Sequence, residues 1–187
     1  MPEIVAWHAV DELPLWQALE ATLDRRTDAP FFCIAWPGAQ ALARHLLDGA
    51  LDLSAQRVVD IGCGSAVAAI AAAKCGAHAI GVDVDALAID AAAVLAERNG
   101  VSIDLRVGDA FGKPSLTDDA DVVVAGDVVY SATQLDAFRA RVADWRAHGK
   151  RVLLADSGRP FFDPCDLVEV KRFEVEVPRI VDGVSTR

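Results

Sequence analysis

The stretch "VVDIGCGSAVAAIAAA", residues 58–73, sets an acid and two glycines at the end of an apolar run. Asp60, Gly62, Cys63 and Gly64 form a tight turn between an expected strand and an expected helix. Turns of this kind bring backbone N–H groups up against a nucleotide. A dinucleotide turn has a further glycine that lets helix and strand pack closely, but position 67 is Val. Asp60 stands two residues before the first glycine, where a carboxylate would add negative charge to a site meant for a pyrophosphate. It suits a cationic or hydrogen-bond-donating ligand. The alternative is a turn cap, with the carboxylate accepting nearby N–H groups.

Two further acids end expected strands. Asp83 closes "IGVDVD", where an acid suits a hydrogen bond to ribose hydroxyls. Asp109 closes "RVGDAF" and is placed to accept from an adenine amino group. Asp85, just past Asp83, reads as a helix N-cap. Acids ending three successive strands beside one glycine turn point to an adenosine moiety without phosphates. S-adenosylmethionine has that chemistry: a sulfonium, an α-ammonium group and no phosphate.

The elements that must position these residues alternate along the chain. "GAQALARHLLDG" puts Ala39, Leu42, Ala43, Leu46 and Leu47 on one helical face before a stop at Gly49. Strand 57–61 leads to helix 65–75, strand 78–83 to helix 86–98, and strand 102–108 to a polar loop at 112–120. Strand 121–127 precedes a helix carrying Leu135, Phe138, Val142 and Trp145, and "RVLLAD" makes a fifth strand. This alternation predicts a doubly wound α/β fold, a mostly parallel sheet covered by helices on both faces. Residues 1–37 read as an irregular lead segment and 38–187 as the domain proper. "LVEVKRFEVEV" looks extended, its apolar alternation changing phase, and "DGVSTR" looks like one more strand cut short.

Bulk properties narrow the function. A chain of 187 residues suits one domain. The apolar runs are too short to span a bilayer, and the start lacks a basic leader region, so a cytoplasmic protein with no membrane partner is expected. Four cysteines without a C-x-x-C pair and four scattered histidines show no metal constellation. A net charge of −10 argues against a nucleic-acid binder and favours a cationic substrate.

With these residues, the chain resembles the seven-β-strand S-adenosylmethionine-dependent methyltransferases over residues from about 35 to 157. Ala66 stands where many members carry a third glycine. "IAWPGAQALARHLLD", "AGDVVY" and "ADSGRP" together resemble the protein-lysine methyltransferases of the electron-transfer-flavoprotein β-subunit lysine methyltransferase group. The resemblance implies a seven-stranded sheet, with S-adenosylmethionine as cofactor and S-adenosylhomocysteine as product. It implies that Trp36 lines the cofactor pocket, that Gly126 touches the cofactor, and that Asp127 and Tyr130 face the substrate. The implied substrate is a protein with an exposed lysine, the flavoprotein β-subunit being the candidate. Ser131 follows Tyr130 where the nearest members of that group tend to have an acid.

Methyl transfer to lysine needs positioning, exclusion of water and a neutral amine. With an ordinary pKa of about 10.4, neutralising lysine near pH 7.4 costs roughly 4 kcal/mol. A carboxylate beside the ammonium raises that pKa, so Asp127 is expected to orient the amine rather than deprotonate it by charge. Tyr130 would supply an aromatic wall, and Arg159 reads as a structural ion-pair partner outside the site. Two other readings stay open: a small-molecule amine N-methyltransferase on the same core, and a nucleotide-binding module without catalysis.

Overall fold

A computed structural model describes residues 1–9, 11–112, 116–129, 131–162 and 167–176. Strands β1 (Arg57–Ile61), β2 (His78–Asp83), β3 (Asp104–Val107), β4 (Val122–Gly126) and β5 (Arg151–Ala155) are all parallel, in the order β3-β2-β1-β4-β5. Helices α2 (Pro37–Leu47), α3 (Val67–Lys74), α4 (Ala86–Arg98) and α5 (Ala132–Ala147) fall between or before them. The order reverses between β1 and β4. At such a switch point, loops leave in opposite directions and open a crevice beyond the carboxyl ends of the strands.

The strands are short β-branched runs whose alternate residues serve two cores. Val58, Val122 and Val124 face one side with α2, α3 and α4. Val59, Ile61, Val123 and Ala125 face the other, where α5 lays Phe138, Val142 and Trp145. In α3, Val67 to Ala72 are all buried. This helix packs on β1 and β2 with α2 alongside it on β4 and β5, and alanine methyls are what such close packing admits. Asp85 caps α4 as expected, accepting the Leu87 N–H at 2.9 Å.

Three expectations are corrected. The described residues form five strands, not seven, and "DGVSTR" lies outside them. The lead segment is not irregular throughout. It holds helix α1 (Glu12–Leu23), capped by Asp11 on the Leu13 N–H, and a short 3-10 turn at Phe31–Cys33. Helix α1 buries no residue completely, and its Leu15 packs only on the small cluster of Cys33 and Ile34. Residues 167–176 add no strand to the sheet. Instead Lys171 pairs with Asp48 at 2.8 Å, Phe173 sets its ring edge to His45, and Val175 packs on Cys33 and Ile34. The alternating side chains find their partners on α2 and the lead segment.

Candidate functional site

The glycine turn follows β1 at the switch point. Gly62 and Gly64 have φ values of 59° and 51°, the left-handed region that glycine enters without penalty. Ala66 repeats that conformation at φ 57°, so the chain makes with alanine the bend for which a third glycine serves elsewhere. Three amides of the turn already have partners. Cys63 N–H donates to Val82 O at 3.1 Å, Gly64 N–H to Asp83 Oδ2 at 2.8 Å, and Ala66 N–H to Cys63 O at 2.7 Å.

Asp60 is 3% exposed and accepts the Ala69 N–H at 3.1 Å. It therefore caps the N-terminus of α3, the alternative its position allowed. Burial pushes its carboxyl up to about 7, against the hydrogen bond from Ala69, with the nearby Asp83 adding to the rise. Asp83 ties two loops together, taking the Gly64 N–H on one oxygen and the Asp85 N–H on the other at 3.0 Å. Cys63, expected at the cofactor, is buried in the turn. Its N–H is engaged and its side chain is 6% exposed, packed where a Cβ on Gly81 would lie 3.1 Å from Sγ. The thiol is part of the floor, and burial raises its pKa well above the ordinary value. Asp109 stays exposed and caps its own turn through the Phe111 N–H at 2.8 Å.

A second network sits at the ends of β4 and β5. Asp127 is 1% exposed and held at φ 54°. Its Oδ2 accepts the Gly38 N–H at 2.5 Å, its Oδ1 accepts the Ser157 N–H at 3.0 Å, and Arg159 Nε lies 3.4 Å from that same oxygen. Its own N–H donates to Ala155 O at 2.9 Å. This carboxylate does not face an open substrate surface. It joins β4, the start of α2 and the loop after β5. Gly126, expected against the cofactor, packs closely on α2: a Cβ there would lie 2.6 Å from Ala39 N. Tyr130 lies outside the described residues.

Trp36 bridges the two networks. It precedes α2, donates its indole N–H to Phe31 O at 2.9 Å, and carries Arg159 Cζ 4.9 Å from its ring centroid. The adjacent 3-10 turn comes down on the glycine turn, with Phe32 Cα 3.7 Å from where a Cβ on Gly64 would sit. Val128 approaches Gly62 in the same way, at 3.0 Å. Thus Asp60, Gly62, Gly64 and Asp83 share one network, Trp36 and Asp127 another, and loop contacts join the two.

Sequence reasoning passed over Gly38 and read Arg159 as an ion-pair partner outside the site; its partner is Asp127. Gly38 and Arg159 both lie in quoted motifs, Trp-Pro-Gly and Gly-Arg-Pro, but their common partner Asp127 is far away in the chain. Asp156 belongs with them. It accepts the Gly158 and Arg159 N–H groups at 2.7 and 2.8 Å, and burial raises its pKa.

The donor set fits a phosphate-free adenosine ligand better than a dinucleotide. Three turn amides that would meet a pyrophosphate are taken, two of the neighbouring side chains are carboxylates, and no Lys or Arg stands in the turn.

Residues 40–138, more than half of the chain, match the family model described as ribosomal protein L11 methyltransferase (PrmA). The electron transfer flavoprotein beta subunit lysine methyltransferase of Xenopus laevis is 36% identical over 140 residues, 71% of this chain and 54% of that one. The ribosomal protein L11 methyltransferase of Edwardsiella ictaluri is 51% identical over 86 residues, 46% of this chain and 29% of its own. The solved ribosomal protein L11 methylase from Lactobacillus delbrueckii subsp. bulgaricus overlaps with a TM-score of 0.47 at 24% identity, covering 62% of this chain and 58% of that one. The chain spans about half the length of the lysine methyltransferases it matches. The matched stretch runs from within α2 through the glycine turn into α5 and carries the first network and Asp127 of the second, and the chain belongs to the ribosomal protein L11 methyltransferase (PrmA) family.

Proposed function

We propose that this chain is an S-adenosylmethionine-dependent N-methyltransferase acting on lysine in a protein, with the electron-transfer-flavoprotein β-subunit as the candidate substrate. The observation that carries the cofactor assignment is the glycine turn at the switch point, where the Cys63, Gly64 and Ala66 amides are bonded to backbone or to Asp83 and Asp60 lies buried beneath α3. A pyrophosphate would meet acids there rather than free N–H groups. The protein-lysine reading is supported by the 36% identical relative and by a family named for methylating a ribosomal protein.

In this reading Asp60, Gly62, Gly64, Asp83 and Asp109 hold the cofactor, with Trp36 in the segment above it. When bound, the cofactor supplies a sulfonium methyl group already activated for displacement, and S-adenosylhomocysteine leaves as product. Residues 1–37 serve as the entrance and 38–187 as the catalytic domain. The lead segment over Gly64 excludes water. Asp127 positions: its buried carboxylate fixes the start of α2 against β4 and β5. Tyr130, three residues on, is the proposed substrate-facing residue.

No helix among the described residues is long and apolar enough to cross a membrane. A cytoplasmic protein without a nucleic-acid partner fits that and the charge of −10.

The test is transfer of labelled methyl from S-adenosylmethionine into purified electron-transfer flavoprotein and into a cell extract split into protein and small-molecule fractions. The expected result is label in protein, recovered after acid hydrolysis as methyl-lysine. Label confined to small molecules would replace this reading with a small-amine methyltransferase.

A further inference from the structure

Asp127 has one cationic neighbour described, Arg159, and that cation is also stacked on Trp36. The guanidinium lies 3.4 Å from Asp127 Oδ1 through Nε and 4.9 Å from the Trp36 ring centroid through Cζ. Its side chain is 19% exposed and that of Asp127 only 1%, so the ion pair is shielded from solvent and salt. The ring it covers belongs to the segment that descends on the glycine turn. Trp36 holds Phe31 O through its indole N–H, and Phe32 lies over Gly64. On the other side of Trp36, Gly38 N–H is bound by the same Asp127. Residues 31–38 are therefore attached at one end, through Trp36 and Gly38, to the Asp127–Arg159 pair, and at the other end Phe32 lies over Gly64 of the glycine turn.

We propose that Arg159 is a positioning residue for the cofactor: by stacking on Trp36 while paired with Asp127, it holds residues 31–38 as the roof of the crevice over the glycine turn. This rests on the cofactor reading above. A flat guanidinium can pair edge-on with a carboxylate and lie face-on over an indole at once, which an ammonium cannot. Loss of the stack frees Trp36 and raises the ordering cost that a ligand meets on binding, so affinity falls although Arg159 is not required to touch the ligand. The loop that presents Arg159 is itself fixed, because Asp156 accepts both the Gly158 and Arg159 amides.

The experiment uses the full chain and four variants: Arg159→Gln, Arg159→Lys, Trp36→Leu and the double variant Arg159→Gln/Trp36→Leu. Calorimetry reads the affinity for S-adenosylhomocysteine, and hydrogen exchange in the ligand-free proteins reads the amides of residues 31–38 against those of α3. The expected results are an affinity about 10-fold weaker for Arg159→Gln, corresponding to one desolvated cation–π contact, and a similar loss for Trp36→Leu. The double variant should be no weaker than the worse single variant by more than about 2-fold, since both remove one interaction. Arg159→Lys, which keeps a cation beside Asp127, should fold normally, recover only part of the affinity, and exchange faster at 31–38 but not in α3. Unchanged affinity and exchange in Arg159→Lys and Arg159→Gln, or losses that multiply in the double variant, would overturn the proposal. Wild-type protein that binds no S-adenosylhomocysteine would instead overturn the cofactor reading, and the exchange comparison would still decide whether Arg159 holds the segment.

Discussion

Asp60 carries a pH dependence whose sign follows from its burial. Its carboxyl titrates at about 7 in the folded chain, far above the ordinary carboxylate value. Between about pH 4 and pH 7 the folded protein keeps a proton that the unfolded chain releases. The contribution of this group to stability is therefore full below pH 4, declines as pH rises towards 7, and is flat above. The slope is at most roughly 1.4 kcal/mol per pH unit. Asp60→Asn retains an oxygen for the Ala69 N–H and should remove that decline, so denaturant midpoints of the two proteins should diverge in favour of the variant from pH 4 to 7. A constant difference would mean that Asp60 is ionised throughout. Ligand binding should run the other way: a cationic ligand favours the carboxylate, so S-adenosylmethionine affinity should rise from pH 5.5 to 7 in the wild type. Asp127 calls for a different experiment. Its two oxygens receive the Gly38 and Ser157 amides, and Asp127→Asn must turn an NH2 towards one of them. That leaves a buried N–H facing a donor, at a cost of about 1–3 kcal/mol. We expect a lower unfolding midpoint together with the loss of transfer. Full stability with abolished transfer would return Asp127 to a direct role with the substrate.

At the scale of elements, the join between α2 and the sheet is the most constrained contact of the site. Gly126 ends β4 where a Cβ would fall 2.6 Å from Ala39 N, and Gly38 starts α2 where one would fall 2.7 Å from both Ala155 O and Asp127 Oδ2. These neighbours are backbone or a fixed carboxylate, so α2 must shift to admit a methyl group. Gly126→Ala should cost about 1–3 kcal/mol, read as a lower denaturant midpoint, and should weaken cofactor binding by displacing residues 31–38. An unchanged midpoint would show that α2 docks loosely. The alternating elements themselves were legible: β1 and β4 are short apolar runs buried on both faces, α2 and α5 repeat apolar residues at helical spacing, and glycines at 49, 76, 100 and 149 punctuate the run. Helix α1 and residues 167–176 were not, since neither owes its conformation to a face buried in the main core. The carboxylates of the glycine turn were legible because they lie within one β-turn-α unit or its neighbour. The partners of Asp127 were not legible. Nothing local in "AGDVVY" announces an amide from Gly38 or a guanidinium from Arg159, and a glycine that admits a helix looks in sequence like one that admits a ligand.

For the whole molecule, the charge matters more than any single surface pair. The chain carries 28 acidic and 18 basic side chains. Exposed pairs such as Arg44 with Glu3 and Asp48 contribute little to stability, but the excess of acids sets a field that attracts cations from beyond contact distance. A protein presenting lysine would be drawn to this chain, and salt should weaken that attraction. From about 0.1 M to about 1 M salt, the screening length falls from about 10 Å to about 3 Å. KM for methylation of a protein substrate should then rise severalfold while kcat holds, because encounter and not the methyl transfer depends on the field. S-adenosylhomocysteine supplies the control: its ammonium and carboxylate cancel, so its affinity should change by less than about 2-fold over the same range. A KM as insensitive to salt as the control would limit the acidity to solubility. The substrate would then have to be recognised by contacts within the entrance, which places selectivity in residues 1–37 rather than in the field of the domain.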